Sequence, residues 1–118
     1  MERFKPNRSG VIYLASPYSD EDPDVRQRRY VEVCRAAAAL MQAGYVVFSP
    51  IAHGHSIAEA GDLATAPHGF CMGQCIPMMD RCDEVMVLRL EGWAESRGVN
   101  EEIRYAEKIG VPVHYLEA

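Results

Sequence analysis

Close to its C-terminal end the chain carries Ser96-Arg97-Gly98-Val99-Asn100-Glu101-Glu102, a serine, a glycine and two carboxylates within seven residues. At a helix start, a serine hydroxyl, a glycine and the free backbone N–H groups form a cradle for an anion or a sugar hydroxyl. A carboxylate one turn inside that cradle is placed to attack or stabilise an anomeric carbon, because glycosyl chemistry runs through an oxocarbenium-like transition state. Capping alone also accounts for two acids in a first helical turn, so on the residues themselves both readings stand. A second set of reactive types is His53-Gly54-His55, His68, Cys71, Cys75 and Cys82. Thiolates and imidazoles suit zinc. Their spacing, however, matches no recognised paired-ligand pattern, and cysteine is often a small core residue. We therefore expect no metal, and read His53 and His55 as pocket-lining groups or proton carriers. Trp93, beside Gly92, either stacks on a base or packs against a neighbouring subunit or the core edge.

These groups need a frame to position them. Residues 11–15 (Val-Ile-Tyr-Leu-Ala) form a short β-branched run that reads as a buried strand, stopped by Ser16-Pro17-Tyr18-Ser19. Apolar residues at helical spacing predict a helix over 25–43, capped by Asp24 or a neighbour and stopped by Gly44. Residues 45–48 read as a second strand, 51–68 as a long loop, and 70–81 as a helix weakened by Gly73 and Pro77. A third strand over 84–88, a helix over 99–109 and a last strand over 111–116 complete the chain. Alternating strands and helices predict one α/β domain over 1–118: a three-layer, doubly wound, flavodoxin-like or Rossmann-like sandwich with a mainly parallel sheet of four or five strands. In such a sheet ligands sit beyond the carboxyl ends of the strands, which is where residues 16–19, 50–55 and 91–102 fall.

Composition sets the outer bounds. The chain has 118 residues, room for one core. A net charge of −5 gives no electrostatic case for a nucleic-acid partner, and the cluster Arg26-Gln27-Arg28-Arg29 follows an acidic stretch as on a solvated helix start. No apolar run is long enough to span a membrane. Residues 1–10 are polar, unlike a secretory signal, and are expected to be flexible. The expectation is a cytoplasmic protein with reduced thiols and no membrane partner.

Ile12-Tyr13-Leu14-Ala15-Ser16-Pro17-Tyr18-Ser19 resembles the opening of the nucleoside 2-deoxyribosyltransferase-like superfamily. So do Cys82-Asp83-Glu84-Val85-Met86-Val87-Leu88, the Gly92-Trp93-Ala94-Glu95-Ser96-Arg97-Gly98 turn and Glu102-Ile103-Arg104-Tyr105-Ala106, in the same order across almost the whole chain. The resemblance implies Glu102 as nucleophile, Tyr13 as the residue that orients it, and Ser96 with Gly98 at the 5′ side of a nucleoside or nucleoside 5′-monophosphate. Serine at 96 favours a 5′-phosphate, which an aspartate there would repel. Their places beyond the strand ends make Ser16, Pro17, Tyr18, His53, His55 and Trp93 the candidate substrate contacts; the chemistry needs no cofactor, and the resemblance implies a homo-oligomer. At the position of the family's general acid, eight residues before Asp83, this chain has Cys75. A thiol is a poor substitute for a carboxylic acid, so Asp80, His53 or His55 takes the role, or the chain binds nucleotides without turnover.

Overall fold

The computed structural model describes residues 10–63 and 66–118. Its central strands are apolar on both faces, the pattern a parallel sheet needs when helices cover both sides. In β1 (Val11–Ala15), Ile12 and Leu14 point into one core while Tyr13 and Ala15 point into the other. β3 (Glu84–Arg89) repeats this, with Met86 and Leu88 on the first side and Val85 and Val87 on the second. The first core is closed by Val33, Ala37 and Leu40 of α1 (Pro23–Gln42), which recur at helical spacing. The second is closed by Met79 of α3 (His68–Met79) and by Val99 and Ala106 of α4 (Arg97–Ile109).

With β2 (Val46–Phe48) and β4 (Val113–Glu117), the described residues form a four-stranded, all-parallel sheet of order β2-β1-β3-β4. Tyr13 sits level with Phe48 on one side and Val85 on the other. This is the doubly wound three-layer fold expected from the alternation of elements. The strand order reverses between β1 and β3, so the crevice beyond their carboxyl ends is the topological switch point where such sheets bind ligands.

Local chemistry places the helix ends, and in three places it corrects the sequence reading. The α1 cap is Asp22, whose carboxylate accepts from the Asp24 N–H at 2.9 Å, with Pro23 as the first helical residue. Much of the 51–68 segment is a helix: α2 (Pro50–Gly61) begins where Ser49 Oγ accepts from the Ala52 N–H at 3.0 Å. Ser49 is the cap, and Pro50 follows it at the first helical position, where its missing N–H is one the first turn leaves unpaired. In α4 the Ser96 cap puts the helix start at Arg97, so Glu101 and Glu102 lie in the second turn. Their position there owes little to the dipole, whose effect fades within the first turn.

Of the 1–10 stretch expected to be flexible, residues 1–9 lie outside the described residues, whereas Gly10 is buried. A β-carbon at Gly10 would lie 2.8 Å from Asp83 Oδ2 and 2.9 Å from Asp83 Cβ, while Asp83 Oδ2 accepts from the Val11 N–H at 2.7 Å. Close approach of the Gly10 backbone to the Asp83 side chain borders the start of the β1–β3 pairing. Gly10→Ala is expected to destabilise the fold by about 1–3 kcal/mol through overpacking, seen as a lower urea midpoint at unchanged slope.

Candidate active site

Two side chains from different elements meet inside the second core. Tyr13 of β1 is fully buried, and its hydroxyl donates to Glu102 Oε2 of α4. Glu102 is only 5% exposed. A carboxylate held this far from water favours its protonated form: burial, reinforced by the neighbouring Glu101 charge, pushes its pKa up to about 7, while the Tyr13 hydrogen bond pulls the other way. Burial and the Glu102 charge together hold the Tyr13 phenol well above the usual range, so it stays a donor. Removing that donor has a direct consequence. Tyr13→Phe is expected to raise the Glu102 pKa further, shifting the acid limb of any Glu102-dependent activity toward higher pH and lowering the rate at neutral pH about 10- to 100-fold. A pH–rate profile of the variant measures both.

Cys75, from α3, completes the group. Its thiol lies against the Tyr13 hydroxyl and close enough to Glu102 to be affected by its charge, and burial pushes its pKa up. The position eight residues before Asp83 thus does reach the carboxylate, carrying a neutral thiol. Asp80 does not join it. As the residue that ends α3, exposed and four positions before β3, Asp80 accepts from the Tyr105 hydroxyl across the α3–α4 surface. The turn into β3 fixes it there, at the amino ends of the strands, so its expected role as the replacement acid is not supported by its place.

The remaining candidates divide between the rim and its supports. Ser96 spends its hydroxyl on capping, accepting from the Val99 N–H at 3.2 Å, and Asn100 Nδ2 braces the same turn by donating to the Ala94 and Ser96 carbonyls at 2.9 Å. Gly98 leaves the inner side of that turn open: a β-carbon there would meet only Ser96 Oγ, at 4.0 Å. Ser16, directly after β1, is 4% exposed, and its Oγ has no hydrogen-bond partner among the described residues. Pro17 beside it is fully buried. Exposed His53 packs its ring 5.5 Å from Phe48, which in turn lies 6.0 Å from the Tyr13 ring. Trp93 takes the core-edge place, 5.7 Å from the Tyr115 ring with the Arg89 guanidinium over its face at 5.1 Å.

Sequence reasoning missed the groups that hold the rim. Arg29 donates to the Ser19 carbonyl at 3.1 Å and to the Glu91 carbonyl at 3.3 Å, tying the loop after β1 to the loop after β3. Gly92 makes this possible: its φ is 89°, and a β-carbon would lie 2.8 Å from Arg29 Nη2. His68 pairs with Glu101 at 2.9 Å, fastening the start of α3 to α4, and Arg97 adds a 3.2 Å contact to the same carboxylate. The His68 hydrogen bond, with that from Arg97, holds Glu101 below the usual carboxylate range. Among the described residues no three His, Cys, Asp or Glu side chains are grouped to hold a metal ion. Nor is any described helix long and apolar enough to cross a membrane.

A solved structure of a 2-deoxyribosyltransferase from the psychrotolerant bacterium Bacillus psychrosaccharolyticus has the same fold. It superposes with a TM-score of 0.60 at 21% identity, covering 91% of this chain and 72% of that one. The resemblance drawn from the sequence motifs therefore holds for the fold. No curated protein sequence matches the chain. A family profile described as "Domain of unknown function (DUF1937)" matches residues 10–118, all but the first nine positions, and the chain belongs to that family.

Proposed function

We propose that this chain cleaves, or transfers the sugar across, the N-glycosidic bond of a (deoxy)nucleoside or its 5′-monophosphate, with Glu102 as nucleophile. The observation that carries this reading is the buried Tyr13–Glu102 pair, whose tyrosine lies on β1, one of the two strands that border the switch point of the sheet. Likeness in fold to a 2-deoxyribosyltransferase supports it. Tyr13 engages Oε2, which orients the carboxylate and leaves Oε1 to attack the anomeric carbon. The bond to the base breaks with its electrons going to the base, and a glycosyl ester forms on Glu102. Water or a second base then resolves the ester with net retention. A carboxylate whose pKa is near 7 is a stronger nucleophile than an ordinary one and is still substantially ionised at neutral pH.

In this reading Gly98 and the N–H groups at the start of α4 receive the 5′ end of the sugar, with Ser96 fixing the turn. Ser16 Oγ, whose missing partner leaves a buried polar atom at a cost of about 1–3 kcal/mol, bonds the bound ligand. His53 and Trp93 edge the base, and two or more copies of the chain assemble around the sites. The proposed chemistry proceeds through side chains alone.

Cys75 favours a second reading, since a neutral thiol stands where an acid would serve the leaving base. In that reading the site binds a nucleotide without turning it over. Incubating the protein with a panel of nucleosides and 5′-monophosphates and separating the products distinguishes the two. Release of free base, with or without transfer to an added base, supports the enzyme. Saturable binding by calorimetry with no base released over a day supports the binding module. Light scattering of the same sample reads the assembly.

A further inference from the structure

If Glu102 attacks the anomeric carbon, something must protonate the departing base, and Cys75 is poorly suited to it. Between α1, α2 and the loop after β1 a second set of side chains is joined in a line. His55 of α2 is 8% exposed, and its two ring nitrogens are both engaged. Nδ1 lies 2.7 Å from the Tyr18 hydroxyl, and Nε2 lies 2.5 Å from Glu59 Oε1 one turn along α2. The imidazole plane is clamped by Tyr30 of α1, stacked at 3.9 Å between centroids, while the Tyr18 ring meets it edge-on at 5.7 Å. Such a sandwich holds the imidazole in one orientation, which a solvated histidine at a helix surface does not need.

Tyr18 follows β1 at its carboxyl end and is only half-buried. Cys71, in the first turn of α3, is close enough to act on both the Tyr18 hydroxyl and the Cys75 thiol one turn on. Tyr18 and the Tyr13–Glu102 pair thus come within electrostatic reach of two positions one turn apart on α3, Cys71 and Cys75. The groups around Tyr18 are Arg26 from α1, Glu59 and His55 from α2, and Cys71 from α3. Burial, the largest influence among them, raises the Tyr18 pKa and keeps the phenol protonated.

We propose that Glu59, His55 and Tyr18 form a proton relay that supplies the leaving base, with the Tyr18 hydroxyl as the acid; this rests on Glu102 being the nucleophile. With His55 doubly protonated, Nε2–H is held by the Glu59 carboxylate and Nδ1–H donates to the Tyr18 oxygen, so the Tyr18 proton points at the ligand. As the bond between C1′ and the base breaks, Tyr18 passes its proton to the base and takes one from Nδ1. The base leaves neutral, Glu102 is esterified and His55 becomes neutral. When water resolves the ester, its proton returns along Tyr18 to Nδ1, restoring the imidazolium and the free Glu102 carboxylate. Tyr18 is then a catalytic residue; His55 and Glu59 act through it as positioning residues.

The test compares a nucleoside with the 4-nitrophenyl glycoside of the same sugar, whose leaving group departs without protonation. Tyr18→Phe, which keeps the ring, is expected to lower kcat for the nucleoside about 100-fold or more with a small change in KM, and the nitrophenyl glycoside only a few-fold. Glu59→Gln, at an exposed position that does not threaten folding, is expected to show the same split at about tenfold. Equal losses on both substrates, or no loss on either, in the two variants would overturn the relay while leaving Glu102 untouched. Wild-type protein that releases neither base nor nitrophenol overturns the nucleophile itself, and the relay with it.

Discussion

Glu102→Gln is expected to slow base release by about 10⁴-fold or more, the size of loss seen when a covalent nucleophile is removed, while leaving the fold in place. The substitution is chosen for its shape. A glutamine at 102 keeps an oxygen to accept from Tyr13, so the buried hydrogen bond survives and the α4–β1 contact is not cut. What disappears is the charge, and with it the ability to form a glycosyl ester. In wild-type protein the same group sets the pH profile. The free enzyme needs Glu102 ionised, so the acid limb of kcat/KM should rise with pH with its midpoint near 7, the value to which burial pushes the Glu102 pKa. A variant that retains more than about a tenth of wild-type release in single-turnover measurements would remove Glu102 from the chemistry. Nucleoside binding measured on Glu102→Gln adds a second readout, because a group that acts mainly in the transition state leaves the ground-state affinity nearly unchanged.

How much of this was visible before the fold was known depends on what kind of signal each element carries. β1 and β3 are buried on both faces, so their composition alone marks them, and the order of elements then dictates a parallel sheet. Tyr13 and Glu102 are 89 positions apart in sequence, and nothing in either segment alone says that they touch; only the superfamily pattern paired them. The region after β2 was opaque for a local reason. His53, Gly54 and His55 break the look of a helix, and Gly54 lowers helix propensity by about 1 kcal/mol relative to alanine. Yet Ser49 caps and Pro50 leads, and tertiary contacts of His55 carry the rest. Misreading that segment as a loop had a further effect: His55 and Glu59 are neighbours only when four residues make about one helical turn, so their pairing was hidden along with the helix. Asp80 was misjudged in the opposite way. Nearness in sequence to Cys75 suggested nearness to the site, but five residues of helix and a turn carry it along α3 toward the amino ends of the strands.

The second large effect is on stability, and its sign opposes the first. Glu102 has a folded-state pKa of about 7 against a model-peptide value of 4.5, so between those pH values the folded protein binds more protons than the unfolded chain. Stability from this group is complete below pH 4.5, falls as pH rises through the interval, and is lost above about 7. A difference of this size corresponds to about 3 kcal/mol at neutral pH. The groups that face the carboxylate, Tyr13, Cys75 and Glu101, are present in both wild type and Glu102→Gln and drop out of the comparison to first order. Glutamine carries no charge at any pH, so the variant is expected to match wild type closely near pH 4.5 and to become more stable by about 3 kcal/mol at pH 8, raising Tm by on the order of 10 °C there. Urea unfolding at pH 5, 6, 7 and 8 measures the widening gap; parallel curves for the two proteins would mean that the carboxylate is not penalised where it sits. A side chain that weakens the fold in the form that performs the chemistry is what a buried nucleophile requires, since the desolvation that destabilises the charge also makes it reactive. The same residue thus ties the reaction and the stability to one proton, and the pH at which the stability gap stops widening should match the midpoint of the acid limb of kcat/KM.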